Sequence, residues 1–459
     1  MRKVSVLMAF LITGYVLGIW NFLVMPKYYI TFGLKGFLLS LIPMLIGVFL
    51  MYSEAESTKR TRYLVYELFF KIARTPALIF TLLMFLLILL GVTTYYSAYS
   101  LVFILGSGQS YTLLFVLATI LLSAVLLMMA RGKTLEFIAV VSILFVVFAL
   151  LAAFLIRNQA LATVTSPQAV QYMQHAVSSI TSLDLPLTVR GVFYLTVSTL
   201  VSLGLGAGVY YVIGSFSPED LDFKRVLGAV VVLQIILSFA AAFTVAYSLG
   251  AAYQGFQRAY QNPNIPAEEA MKLFTKFTEL KEYTTNSEKS PIASIEVFYS
   301  IPQILKGNVA SDRTLIVLLM LSLYLAGMTT IIVLIEMGSQ MLAEVMQLGR
   351  TSSLGLVSLL GMVIGGSMVV GDIKTMFVVV PFAVGALVAA AEAYPLLSSE
   401  LMGNRGLTAG VIIVLLVTGL ATLYYTISTG NLAVKIGAFL GLVLFIPVLM
   451  NGMLLKSHR

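Results

Sequence analysis

Ile12-Thr-Gly-Tyr-Val-Leu-Gly-Ile-Trp-Asn-Phe-Leu-Val-Met-Pro26 lies inside the first long apolar run of the chain. A plain membrane helix would carry mostly Leu, Val and Ile there, but this one holds Gly14, Gly18, Asn21 and Pro26. Glycine lowers helix stability by roughly 1 kcal/mol relative to alanine, and proline frees a carbonyl of the preceding turn. Non-helical backbone at membrane depth is tolerated only where it faces protein or a wet cavity. The stretch therefore reads as a helix broken at mid-membrane around something it binds. The same Gly14-xxx-Gly18 spacing also suits close helix packing, and both readings stand on this stretch alone.

A second stretch, Ser202-Leu-Gly-Leu-Gly-Ala-Gly208, sits in another apolar run, 190–213. Three glycines at alternate positions destabilise any helix, so a break is expected here too. If each break opens a block of five spans, the blocks are 1–157 and 190–398. Interrupted segments at corresponding places in two halves point to a secondary transporter built from inverted repeats.

Composition sets the class. Of 459 residues, 59% are hydrophobic and only 10% charged, with a mean hydropathy of +0.99. Apolar runs of membrane-spanning length recur to the end of the chain, which marks a polytopic membrane protein whose partner is the lipid bilayer. The net charge of +8 reads as lysine and arginine in membrane-side loops. No basic patch is interleaved with aromatics, so nucleic acid is not an expected partner. Cysteine is absent, and His175 and His458 form no cluster. No Ser–His, Cys–His or metal constellation is present, so an enzyme is not expected. Met1-Arg-Lys ahead of an apolar run resembles a signal peptide, but no small-residue cleavage site follows, and it is read as the first span.

The expected fold is all-α, one transmembrane domain over 1–459 with about twelve spans. They fall near 4–25, 33–55, 76–105, 111–130, 134–156, 190–214, 226–250, 313–346, 352–370, 374–398, 406–427 and 431–455, the last two (406–455) lying outside the repeats. The connection 56–75 carries an amphipathic piece, Tyr63–Ile72, and 157–189 is rich in Ser, Thr and Gln. Residues 251–312 hold an amphipathic helix near Ala267–Tyr283 and another near Ile292–Leu305 with Pro302 inside it. With the N-terminus inside, 15 of the 28 Lys and Arg residues fall in inner loops, including Arg2, Lys3 and Arg459. Of the other 13, seven belong to the long 251–312 loop or border it, and long loops weigh little. Both termini are therefore expected in the cytoplasm of a cell whose plasma membrane holds the chain.

Several spans carry polar groups. Tyr96, in Thr93-Thr-Tyr-Tyr96, could bond a substrate carboxylate or sit at an interface. Thr329 and Thr330, in Ala326-Gly-Met-Thr-Thr330, could offer oxygens to Na⁺ or bond their own helix. Glu54, Glu336, Glu344 and Glu392 lie in or near span ends, where a carboxylate is functional by default, though Glu54 and Glu344 could also simply reach the interface.

The order Gly14…Gly18-x-x-Asn21-Phe22…Pro26, Tyr95-Tyr96, Ser202-Leu-Gly-x-Gly-Ala207 and Ala326-Gly-Met-Thr-Thr330 resembles the neurotransmitter:sodium symporter family, which has the leucine-transporter fold. Phe298-Tyr-Ser-Ile-Pro-Gln-Ile304 looks like that family's outer lid, and the resemblance covers roughly 10–400. It implies a sodium site, the family's second, built from the carbonyls of Gly14, Leu17 and Ala326 and the hydroxyls of Thr329 and Thr330. The first sodium site keeps Asn21 and the Val16 carbonyl, but Leu200 replaces a hydroxyl ligand and Gln234 an asparagine.

The resemblance also implies a substrate between the two breaks. Its carboxylate would meet the amides of Ile19 and Trp20, after Gly18, and the Tyr96 hydroxyl. Its amine would meet the carbonyls of Val16, Thr199 and Leu200 near Ser202, and Val92, Leu205, Thr330 and Leu334 would line the side-chain pocket. Trp20 stands where the family has glycine. The family's outer Arg–Asp gate maps to Val24 and Thr375, and Glu344 aligns with an acidic inner-gate residue that Arg2 or Lys3 could partner.

The expected function is sodium-coupled symport of an amino acid or related small amine or carboxylate, by alternating access. Two alternatives stand beside it: a proton-coupled or uncoupled transporter using Glu54 or Glu336, and a transport-inactive sensor or interaction protein on the same fold.

Overall fold

The computed structural model describes residues 3–129, 131–398, 401 and 404–457; the expectations placed on Arg2, His458 and Arg459 lie outside them. Among the described residues ten helical segments are long and apolar enough to cross a membrane, and no strand occurs. The chain is an all-α, multi-pass membrane protein.

The first apolar run is broken where glycine predicted it. It forms α1 (Lys3–Val16) and α2 (Ile19–Val24), and Pro26 opens a separate short helix, α3 (Pro26–Thr31). Pro26 is tolerated there because the first residue of a helix needs no amide donor, so it ends the run rather than breaking it. Then come α4 (Leu34–Thr61), the short α5 (Val65–Lys71), α6 (Leu78–Leu105), α7 (Thr112–Met128), α8 (Arg131–Thr163) and α9 (Pro167–Thr181). The second glycine-rich run gives α10 (Val189–Ser202) and α11 (Val209–Ser215) with 203–208 unwound between them. After α12 (Phe223–Gln261) come α13 (Ala267–Thr285), α14 (Pro291–Phe298) and α15 (Ile301–Leu305). The chain continues through α16 (Asp312–Met346), α17 (Arg350–Ser367), α18 (Gly371–Glu392) and α19 (Arg405–Thr429) to α20 (Leu432–Val443), α21 (Ile446–Leu449) and α22 (Asn451–Ser457).

Several boundaries differ from the sequence reading: α4 runs to Thr61 rather than 55, and the span expected over 431–455 is divided into α20, α21 and α22. The connection expected at 157–189 is largely helical, because α8 runs to Thr163 and α9 follows. The span expected to end at 250 continues as α12 to Gln261. The helix expected over 292–305 is two helices, with Pro302 in the first turn of α15, where proline is accepted.

The centre is built from α6 and α18, whose apolar windows are 83% buried, while Leu432–Leu455 is only 22% buried and lies at the rim. α16 packs against α6, α8 and α17 and touches both α1 and α2. Leu432, Leu449 and Ile413 are exposed, as expected of a surface that faces lipid chains.

The two breaks face each other. The Tyr15 hydroxyl at the end of α1 donates to the Gly204 carbonyl at 2.8 Å. Gly204, Gly206 and Gly208 have φ of 70°, 94° and 69°, a region costing other residues roughly 1–2 kcal/mol each. A Cβ at Gly204 would also lie 2.5 Å from the Tyr15 ring. Gly204→Ala is therefore expected to lower the melting temperature of the detergent-purified protein clearly. Gly355→Ala, with nothing within 4 Å, should leave it unchanged or raise it. Equal melting of the Gly204 variant and wild type would contradict the strained-loop description.

Candidate ion and substrate site

At the first break the Gly18 amide turns to the Tyr15 carbonyl (3.3 Å) rather than to Gly14. The Gly14 carbonyl instead accepts from the Thr329 hydroxyl of α16 at 2.9 Å. Thr329 also lies 2.9 Å from the Ala326 carbonyl, and Thr330 donates to that same carbonyl at 3.0 Å. Among the described residues, the buried carbonyls of Val16 and Leu17 receive no hydrogen bond. Buried carbonyls are nearly always paired, so unpaired ones ask for a partner such as water or an ion. Four of the five groups expected to hold an ion, those of Gly14, Ala326, Thr329 and Thr330, are thus gathered at one α1–α16 contact, and the fifth, Leu17, sits in the break itself. All are neutral oxygens, a donor set that fits a hard monovalent cation once the Thr329 proton turns away from Gly14.

Gly18 is required by close approach: a Cβ there would stand 2.2 Å from the Thr330 hydroxyl. The structure adds a group that sequence reasoning missed. Ser142 of α8 is 2% exposed, its hydroxyl has no partner among the described residues, and it lies 2.7 Å from where a Gly14 Cβ would be. No motif marks Ser142; only the packing of α8 on α1 brings it there.

The residues of the expected first sodium site meet through a different network. Asn21 donates to the Gln234 backbone carbonyl (3.2 Å) and accepts from Ser238 (2.7 Å). The Gln234 side chain instead donates to Ser202 at 2.9 Å. Asn21 thus ties α2 to α12, and its carboxamide oxygen is engaged by Ser238.

The space between the breaks is nearly filled. A cavity of about 10 Å³ is lined by Tyr15, Gly18, Trp20, Leu89, Val201, Ser202, Gly204, Thr330 and Leu334, room for about one water molecule. Gly18, Trp20, Ser202, Thr330 and Leu334 are among the expected substrate contacts. Val16, Ile19, Val92, Thr199, Leu200 and Leu205 are buried without lining it. Leu205 faces α4, 3.5 Å from where a Gly47 Cβ would be. Trp20 is 5% exposed, donates to the Thr93 hydroxyl at 3.0 Å and meets Phe382 edge-on at 6.0 Å. The indole occupies the room that glycine would leave.

Tyr96 is buried, and its hydroxyl donates to Glu296 of α14 at 2.8 Å. Lys374 of α18 pairs with the same Glu296 oxygen at 3.0 Å. Thr375 bonds its own helix and Val24 is buried; the charge pair here is Lys374–Glu296, which no motif marks. At the other end Lys3 pairs with Glu136 at 2.5 Å, not with Glu344, which accepts from the Tyr66 amide at 3.0 Å. Of the two expected partners of Glu344, Lys3 is thus engaged elsewhere and Arg2 lies outside the described residues; Glu344 is engaged by the first turn of α5.

Beneath the second break, Glu392 accepts from the Gly206 and Gly208 amides, the latter at 2.6 Å. Both carboxylate oxygens of Glu54 are buried without a hydrogen-bond partner among the described residues, and Glu392 is its electrostatic neighbour. Glu336, by contrast, pairs with Arg350 at 3.0 Å.

No family model matches the chain, and no curated protein matches it.

Proposed function

We propose that the chain is a sodium-coupled symporter of the plasma membrane, moving an amino acid or related small amphiphile by alternating access. It would cross the membrane about twelve times with both termini cytoplasmic, its inverted repeats being 1–157 and 190–398, in the manner of the neurotransmitter:sodium symporters. The observation that carries this reading is the Thr329–Gly14 hydrogen bond (2.9 Å), which joins α16 to a carbonyl freed by the break in α1. Na⁺, carried as a co-substrate, would replace that bond with oxygen contacts to both helices. An ion shifts a conformational equilibrium only by its difference in affinity for the two states, and a site shared by a broken helix and its neighbour supplies such a difference. Uptake of an amino-acid panel into proteoliposomes, with and without an inward Na⁺ gradient, tests it. Uptake driven by Na⁺ supports the proposal, whereas absence of both uptake and ligand binding supports a transport-inactive sensor or interaction protein on the same fold.

A second reading, proton coupling, is favoured by Glu54. An unpaired buried charge costs several kcal/mol, so a carboxyl with both oxygens unpartnered beside Glu392 is suited to hold a proton. Uptake that follows a proton gradient, ignores Na⁺ and is lost in Glu54→Gln would establish this reading in place of the first.

A further inference from the structure

Lys374, Glu296 and Tyr96 form one contact where α14 lies against α2 and α18. Tyr96 donates to a Glu296 carboxylate oxygen at 2.8 Å and Lys374 reaches the same oxygen at 3.0 Å. Tyr299, one residue past α14, donates to the Tyr96 carbonyl at 2.6 Å, and its ring stacks on Tyr96 at 5.5 Å. The segment therefore grips α6 through both the hydroxyl and the backbone of a single tyrosine. Beside it opens a cavity of about 470 Å³ whose lining includes Glu296, Glu279 and Tyr299. Trp20, which lines the nearly filled space between the two breaks, bonds Thr93, one turn from Tyr96 on α6.

We propose that Glu296 is a tethered carboxylate that locks α14 as a lid over the central site. It occupies on Tyr96 the place that a substrate carboxylate would take, and Lys374 holds it there. Its meaning for substrate entry rests on the transporter reading, but the lock itself does not. The ion pair is half-exposed, Lys374 24% and Glu296 45%, and such pairs are weak alone. The hydrogen bond from buried Tyr96 to a charged oxygen is the stronger part. A lock of this strength holds the lid closed without sealing it, as a gate that must open in each cycle requires. A carboxylate-bearing substrate would compete with Glu296 for Tyr96 and Lys374 and so would favour the open lid.

The chain has no cysteine, so one introduced thiol is the only one to react. Val92→Cys places it one helical turn from Tyr96, on the same face of α6. Its labelling rate by a small cationic methanethiosulfonate is measured on the full-length protein in detergent, without Na⁺ or substrate. Adding Glu296→Ala, and separately Lys374→Met, should raise the rate about tenfold, while Glu279→Ala, which lines the same cavity away from Tyr96, should not change it. Unchanged rates in both lock variants would overturn the proposal. An equal rise with Glu279→Ala would overturn it too, as would a thiol that labels only after denaturation in every variant. Because no transport is measured, labelling that rises while Na⁺-driven uptake fails would leave the lid standing and remove the sodium-coupled reading. The converse result would do the reverse.

Discussion

Valine at both 329 and 330 is expected to abolish Na⁺-stimulated uptake while leaving the protein folded. Valine keeps the shape of threonine and removes only the hydroxyl. Both hydroxyls lie in the α1–α16 contact, Thr329 on the Gly14 and Ala326 carbonyls and Thr330 on Ala326. Each lost hydrogen bond costs about 0.5–1.5 kcal/mol of stability, small enough for the fold to survive, whereas a cation deprived of two of its expected oxygens loses its site. The single variants separate the two: Thr329 bridges to Gly14 and Thr330 does not, so Thr329→Val should have the larger effect. Normal Na⁺ dependence in the double variant, with unaltered expression and melting, would place coupling elsewhere.

Trp20→Gly is expected to produce the largest loss of stability and, with it, a gain of ligand binding. Removing a buried tryptophan costs about 3–5 kcal/mol, and the Thr93 hydroxyl loses the indole donor at 3.0 Å. The cavity of about 10 Å³ would grow by the volume of the indole, on the α6 face that carries Thr93. Melting of the variant in Na⁺ should therefore drop well below wild type and be partly restored by aliphatic amino acids that leave wild type unmoved. A variant that melts like wild type would contradict the indole's filling of this space. One that melts low and is restored by no amino acid would count against an amino-acid substrate.

How much of this was legible follows from which physics each feature depends on. Both breaks were readable because glycine acts locally, and they fall at 17–18 and 203–208, close to where the glycines stand. The α1–α16 contact was expected from the order of the Gly14 and Ala326-Gly-Met-Thr-Thr330 stretches, and the structure brings Gly14, Ala326 and Thr329 together. Residues acting across the fold from unmarked positions were not readable. Ser142 is one serine among many until α8 packs on α1. Glu296 stood in a long loop and Lys374 next to the mapped gate position Thr375, and only the fold of α14 joins them. Pro302 was read as interior to a helix, since a proline in the first turn and one that interrupts a longer run look alike in sequence. The extent of α8 and α12 was underestimated because both leave their apolar windows and continue as polar helix, supported by α9 and α13 packing on α12.

Equilibrium binding of radioactive ²²Na⁺ to the purified protein tests the central claim most directly, since it needs no knowledge of the substrate. The expected result is saturable binding, displaced by unlabelled Na⁺ but not by K⁺, and lost in Thr329→Val with Thr330→Val. Binding that does not saturate in wild type, or that persists undiminished in the double variant, would contradict the account.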